Sequence, residues 1–251
     1  MKDVRRGWKD EDPRWFGPEA LSVLNTAAFE ISWLLERGYP AASALTFVSN
    51  HYLLSERQRT ALLRTTASPS AIARRKQKEI ITPDGGAVWN IDGFNAVILM
   101  ETALSSSVVL KGMDGCYRDL SGLAGTYSVI ERTPLGIDRI IRELQAMQAG
   151  GAVFYLDAPV SNSGRLKTCL AEEAEKLGFP IDIRMVHNAD TELKKCDHVI
   201  SGDAVILEEC ISWYNLYDRL LAGVKDPWIV EINGFNVKRR TFEMDAERSV
   251  I

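Results

Sequence analysis

After residue 86 the chain switches repeatedly between two periods, short apolar runs of strand length and longer segments with a helical apolar stripe. That alternation constrains the fold more than any other feature. Strands separated by helix-length crossovers form a mainly parallel sheet with helices on its faces. The spacing predicts strands over 87–92, 107–111, 152–157, 181–186, 197–201 and 228–232, and helices over 94–105, 134–148, 163–177 and 203–216. Residues 112–128, with glycines at 112, 115, 122 and 125, read as a long loop over the sheet edge.

Three of the apolar runs give way to a turn at an aspartate: Ile91-Asp92-Gly93-Phe94-Asn95, Leu156-Asp157-Ala158-Pro159 and Ser201-Gly202-Asp203. Ligands of parallel α/β sheets collect outside the carboxyl ends of the strands, so these three acids are expected to converge there. Clustered carboxylates repel one another unless a proton or cation intervenes, and hard oxygen donors suit Mg²⁺ or Mn²⁺. Asp92, Asp157 and Asp203 are therefore the candidate metal ligands and catalytic acids of a phosphodiester hydrolase.

Around them, Asn95 is placed to orient Asp92 or bind phosphate, and Ser201 belongs to the same strand end as Asp203. The polar loop containing Ser161 and Ser163, followed by Arg165, could wrap a phosphate at a helix N-terminus. Arg118, in the glycine-rich loop with Asp114, is a further substrate contact. Each position also has a plainer reading. Asp92, Asn95 and Asp203 could simply cap helices, and an Asp before Ala-Pro favours a turn. Asp119, Asp190 and Asp197 are second-rank acids, and a solvated helix face accounts for Glu101. His187 and His198 could approach the cluster, although ordinary structural roles also account for them.

Residues 1–16 read as an irregular arm, and residues 17–81 as a small all-helical domain of about four helices. Pro18-Glu19 starts the first helix, and Gly38-Tyr39-Pro40 separates it from the second. Ser55 and Ser68 are candidate N-caps for the next two. The turn-rich stretch Thr82-Pro83-Asp84-Gly85-Gly86 joins this region to an α/β domain over 87–251. The net charge of −4 conceals an asymmetry. Residues 1–80 carry thirteen Lys/Arg against nine Asp/Glu, while the remainder carries seventeen against twenty-five. From Arg57 to Lys78 there is no acid, and Arg74, Arg75 and Lys76 are the densest candidates for holding backbone phosphate. A solvated helix face explains the same run.

Four dispersed cysteines with no Cys-x-x-Cys pair argue against a zinc ribbon. Neither a Walker loop nor a Gly-x-Gly-x-x-Gly fingerprint is present, and no Ser/His/Asp signature is recognisable. No apolar run reaches the length of a membrane span, and the first residues lack the apolar core of a signal peptide. A cytoplasmic location with no membrane partner is the expectation.

These pieces resemble an uncharacterised, largely archaeal family catalogued as a domain of unknown function. The matching stretches are Leu34-Leu35-Glu36-Arg37-Gly38-Tyr39-Pro40, Ile91-Asp92-Gly93-Phe94-Asn95, Leu156-Asp157-Ala158-Pro159-Val160-Ser161 and Ser201-Gly202-Asp203. The body alone is similar to NYN and PIN-like nucleases, which open with an Asp-Gly-x-Asn strand end and carry a late Ser-Gly-Asp. The resemblance implies a PIN-like α/β domain and Mg²⁺- or Mn²⁺-dependent cleavage of nucleic acid, RNA rather than DNA. Such families place another acid two positions after Ser-Gly-Asp, whereas this chain has Val205. Two alternatives stay open: an RNA-binding protein with a degenerate nuclease fold, and a small-molecule phosphohydrolase. The sequence leaves the oligomeric state open.

Overall fold

The computed structural model describes residues 4–122 and 125–234. The ends of the expected N-terminal arm and of the α/β region, residues 1–3 and 235–251, lie outside the described residues. The first five elements are helices: α1 (Asp12–Trp15), α2 (Pro18–Glu36), α3 (Ala41–His51), α4 (Glu56–Thr65) and α5 (Pro69–Gln77). There follow β1 (Val88–Asp92), α6 (Gly93–Leu104), β2 (Val109–Lys111), β3 (Tyr117–Asp119), α7 (Thr133–Ala146), β4 (Gly151–Asp157) and α8 (Ser163–Leu177). The last described elements are β5 (Ile181–Val186), α9 (Ala189–Leu193), β6 (Val199–Ile200), α10 (Ala204–Glu209), α11 (Leu216–Ala222) and β7 (Ile229–Glu231). No helix among the described residues is long and apolar enough to cross a membrane.

The residues divide into two compact units. The larger combines Met1–Trp8, Arg74–Val109 and Tyr117–Trp228; the smaller combines Lys9–Ala73, Leu110–Cys116 and the chain from Ile229. The division thus falls at Arg74, ahead of the Thr82–Gly86 turn.

The smaller unit is built on helices whose ends follow from local chemistry. Gly38 takes a φ of +80° at the end of α2, where its N–H and that of Tyr39 bond to Leu35 and Leu34 carbonyls. That left-handed closure costs a glycine least. Ser55 and Gln58 form a reciprocal capping box at α4, and Ser68 accepts from the Ala71 N–H at α5. Arg57 pairs with the fully buried Asp12, so this cation of the basic run is already committed. At the far end of the unit, Asn25 Oδ1 accepts from the N–H groups of Asn233 and Gly234 at 2.9 and 3.0 Å.

The larger unit contains a four-stranded sheet in the order β5-β4-β1-β6, with every neighbouring pair parallel. Trp89, Ile91, Phe154, Leu156 and Ile200 from the strands share a core with Val97, Met100, Ile137, Ile141, Leu144, Leu166 and Leu170 from α6, α7 and α8. The α/β architecture and flanking helices agree with the alternation of periods. The sheet is smaller than six strands, because β2 and β7 pair with each other instead of joining it. The expected loop over 112–128 contains the short buried strand β3.

Two further expectations change. The helix expected over 203–216 stops at Glu209, and the chain then runs extended beside β6. Ile211 N–H bonds to the Cys196 carbonyl, Trp213 N–H to that of Lys78 and Tyr214 N–H to that of Val199. Pairing of the backbone and burial of Trp213 outweigh helix continuation there. The N-terminal arm is not irregular throughout, since Asp12–Trp15 form α1, and its Arg5 and Arg6 are held by their side chains. Arg5 Nε donates to the Ser105 carbonyl at 2.9 Å, and the buried Arg6 pairs with Glu101 at 2.7 Å. Glu101 is itself fully buried, which removes the reading of a solvated helix face.

Candidate acidic site at the carboxyl edge of the sheet

From β1 the chain moves to β4 and β5 on one side, then returns to β6 on the other side of β1. The order reverses between β1 and β6, the place where open α/β sheets form a crevice. Asp92 ends β1 there, and Ser201, Gly202 and Asp203 follow β6 directly. Asp157 ends β4, the other neighbour of β1, and Asp190 lies in α9 just beyond β5. The topology therefore brings the three first-rank acids, and Asp190 from the second rank, to one sheet edge.

Asp92 is nearly enclosed, with 8% of its surface exposed. Its Oδ1 accepts from the Asn95 N–H at 3.2 Å, capping α6, and its Oδ2 accepts from the Ser201 hydroxyl at 3.0 Å. Burial pushes its carboxyl up to about 7, and the nearby charges of Asp190 and Asp203 push the same way. The hydrogen bonds from Asn95 and Ser201 oppose this rise without cancelling it. Asp190 is also raised, by burial first and then by the charges of Asp203 and Asp157, with Lys194 offsetting part. The four aspartates thus form one electrostatically coupled group with too little opposing charge.

Asp203 is half-buried, and its Oδ1 accepts from Val205 and Ile206 N–H groups at 2.7 and 3.2 Å. Asp157 Oδ1 accepts from the Ala189 N–H at 2.8 Å, tying β4 to α9. Capping is real at Asp92 and Asp203, but it engages one carboxylate oxygen of each with the helix start. Asn95 is a brace: its Oδ1 accepts from the Gly202 N–H and the Tyr217 hydroxyl, both at 2.8 Å. Ser201 Oγ also accepts from the Asp203 N–H at 3.0 Å, so one hydroxyl links two of the acids.

The glycines act through close approach. A Cβ on Gly93 would stand 2.6 Å from Leu156 Cδ2, and one on Gly202 would stand 2.3 Å from the Tyr117 carbonyl oxygen. Neither has a positive φ, so what the glycine at 93 supplies is room for the close approach of β4. Gly202→Ala should lower stability by about 1–3 kcal/mol through overpacking. In thermal melts this corresponds to roughly 2–12 °C. An unchanged Tm would show that this approach is readily relieved.

The remaining candidates are distributed differently. Arg118 is buried, and its Nε donates to the Gly202 carbonyl at 2.7 Å, so it holds the Ser-Gly-Asp turn instead of reaching outward. Ser161 is exposed and accepts from the Tyr127 N–H, while Ser163 is buried against the Ala158 carbonyl. Arg165 is exposed in the first turn of α8. Arg74 and Arg75 pair with Glu208 at 2.6 and 3.1 Å, and Lys76 pairs with Glu79 at 2.7 Å. Partial burial would raise Glu208, but the two guanidinium groups outweigh it and hold the carboxyl below its ordinary range. Two carboxylates thus meet the three cations of this trio, with Arg75 buried and Arg74 and Lys76 about half exposed.

His198 and Asp197 lie at the amino end of β6, opposite the acids, where His198 Nδ1 is 3.3 Å from Asp197. Sequence reasoning did not single out Tyr217, which reaches Asn95 from α11 across 122 positions and has no local signal. Asp190 did carry one, since it follows the end of β5 as Asp92 and Asp157 end β1 and β4. Among the described residues, no group of three or more His, Cys, Asp or Glu side chains is drawn tightly enough to hold a metal ion as it stands.

Comparisons with known proteins match two stretches of the chain. The model of a domain of unknown function, DUF5616, matches residues 84–219, which include all four aspartates and Tyr217. That of a protein of unknown function, DUF434, matches residues 23–78. The uncharacterized protein MJ0935 of Methanocaldococcus jannaschii is 33% identical over 187 residues, covering 74% of this chain and 89% of that protein. No solved structure matches.

Proposed function

The chain belongs to the DUF5616 family, and we propose that it is a divalent-cation-dependent phosphodiester hydrolase with RNA as its substrate. The observation that carries this reading is the convergence of Asp92, Asp157, Asp190 and Asp203 at the point where the strand order reverses. A buried carboxylate beside others of like charge is costly unless a proton or a cation joins it. The donor set is all carboxylate oxygen, which fits Mg²⁺ or Mn²⁺ better than a softer ion. Asp157, Asp190 and Asp203 would supply the further carboxylate donors beside Asp92.

Bound there, Mg²⁺ or Mn²⁺ would lower the pKa of water and neutralise charge on phosphoryl oxygens. The carboxyl of Asp92, pushed up to about 7 without a cation, would give up its proton to a bound cation near neutral pH. Ser201 orients that carboxyl, and Asn95, Tyr217 and Arg118 fix the Gly202 turn that carries Asp203. Arg165, exposed at the start of α8 beyond Asp157, is a candidate phosphate contact. RNA enters through the likeness of Asp92-Gly93-Phe94-Asn95 and Ser201-Gly202-Asp203 to NYN and PIN-like nucleases. Val205, at the position where those families carry an acid, favours a second reading, an RNA-binding protein without turnover.

A cation site of this kind has a thermodynamic signature independent of catalysis. The folded carboxyl of Asp92 titrates near 7 against an ordinary 3.8, so the folded state keeps a proton that the unfolded chain has released. Its stabilising contribution is fully present below pH 4 and is lost as pH rises through about 7. A bound cation offsets that loss only where the carboxylate is ionised. Mn²⁺ should therefore raise the Tm at pH 8 and have little effect at pH 5. Equal shifts at both pH values, or none at either, would count against a cation site at Asp92.

A further inference from the structure

Among the described residues β5 has a strand neighbour on one side only, β4. Its ladder with β4 is unbroken from Ala152↔Ile181 to Asp157↔Val186, and the strand contains neither proline nor lysine. Among the described residues its outer edge pairs with no strand, and a regular unpaired edge is a template for another strand.

The direction of the backbone groups follows from the hydrogen bonds. Ala152 N–H donates to the Pro180 carbonyl and Ala158 N–H to that of Val186. Even-numbered positions of β5 therefore face β4, and Ile181, Ile183 and Met185 turn their N–H and C=O groups outward. Asp182 and Arg184 stand on the exposed face of the strand, where they pair with each other at 2.9 Å. Ile181, Ile183 and Met185 form the opposite, partly buried face, packed against the core.

From this geometry we propose that two copies of the chain associate by antiparallel pairing of β5 with β5 about a two-fold axis at Ile183. That register aligns the three outward-facing residues as hydrogen-bonded pairs, Ile183 with its own copy and Ile181 with Met185 of the other. It also sets Asp182 opposite Arg184 and Arg184 opposite Asp182, in the closer type of antiparallel pair. A register shifted by one residue would set outward-facing residues opposite inward-turned ones, and one shifted by two along either strand would place like charges opposite. The surface is thus self-complementary in both hydrogen bonding and charge, as a two-fold interface requires. The proposal is independent of the hydrolase reading. The axis places the two acidic edges on opposite sides of the joined sheet, so neither copy completes the other's site.

Sedimentation velocity tests it directly. The wild-type chain should sediment as a dimer of about twice 28.0 kDa. Asp182→Arg and Arg184→Asp each place like charges opposite one another and should weaken dimerisation roughly tenfold or more. The swap Asp182→Arg with Arg184→Asp should restore it, because the charges again alternate. All three changes lie on an exposed face, and circular dichroism checks that each variant is folded. A wild-type monomer across the concentration range would overturn the proposal. So would a dimer indifferent to both single changes, or a folded swap variant that stays monomeric.

Discussion

Asp92→Asn is expected to be more heat-stable than the parent protein at pH 8 and at least ~10²-fold slower in cleaving RNA. The two effects have one cause. At pH 8 the parent holds an ionised carboxylate in a nearly enclosed position, against burial and the charges of Asp190 and Asp203. A neutral amide of the same shape removes that repulsion while keeping an oxygen to accept from Asn95 N–H or the Ser201 hydroxyl. The gain is bounded by the free energy that separates a carboxyl at about 7 from one at 3.8, ~4 kcal/mol. Losing a partner of a metal ligand typically costs 10–100-fold in activity or affinity, roughly the least to expect for a ligand itself. A variant gaining stability while losing function marks a site kept strained for its chemistry. Thermal melts at pH 8 and a gel-based cleavage assay on the same preparation check both halves. A less stable variant, or one that still cleaves, would remove Asp92 from its assigned place.

Glu101→Ala should produce the largest loss of stability among single changes in the larger unit. Glu101 is fully buried in α6 and accepts from Arg6 Nε at 2.7 Å, from the Tyr127 hydroxyl at 2.8 Å and from Thr133. Removing the carboxylate leaves a guanidinium nine-tenths buried with no opposing charge, and takes an acceptor from the Tyr127 and Thr133 hydroxyls. Breaking a buried pair in this way costs about 3–5 kcal/mol. For a unit of this size that is a fall in Tm of roughly 6–20 °C. The same helix presents the capped Asp92 and Asn95 at its start, so the N-terminal Arg5 and Arg6 are tied into the element that carries the site. Replacing Arg6 and Glu101 together with Met and Leu should recover much of the loss, since neither then leaves a charge unpaired. Differential scanning calorimetry on the single and double variants measures this. A Glu101→Ala melt within 2 °C of the parent would contradict the role given to the pair.

Much of this was legible in the sequence wherever local rules act alone. The caps at Ser55 and Ser68, the closure at Gly38 and the strand-ending acids at Asp92 and Asp157 follow from short-range chemistry, and the structure has them there. Glu101 was misread because α6 is apolar nearly all round. In such a helix a single acid has no polar face to occupy, and its burial depends on an arginine 95 positions away. The ion pairs of Arg74 and Arg75 with Glu208 were hidden for the same reason. Glu208, which pairs with both arginines, lies more than 130 positions along the chain. The helix expected through 203–216 failed where a tertiary backbone pairing beside β6 competed with local helix periodicity. Strand order was not legible either, and it is the order β5-β4-β1-β6 that gathers Asp157, Asp190 and Asp203 around Asp92.

The central claim is that these four acids work together with a divalent cation on RNA. It is tested most directly by incubating the purified chain with single-stranded and structured RNAs, in Mn²⁺ and in excess chelator. The account predicts shortened RNA products that appear with Mn²⁺, disappear with chelator and accumulate faster as pH rises from 6 to 8. Intact RNA under every condition, from a protein whose fold is verified by its melt, would contradict it.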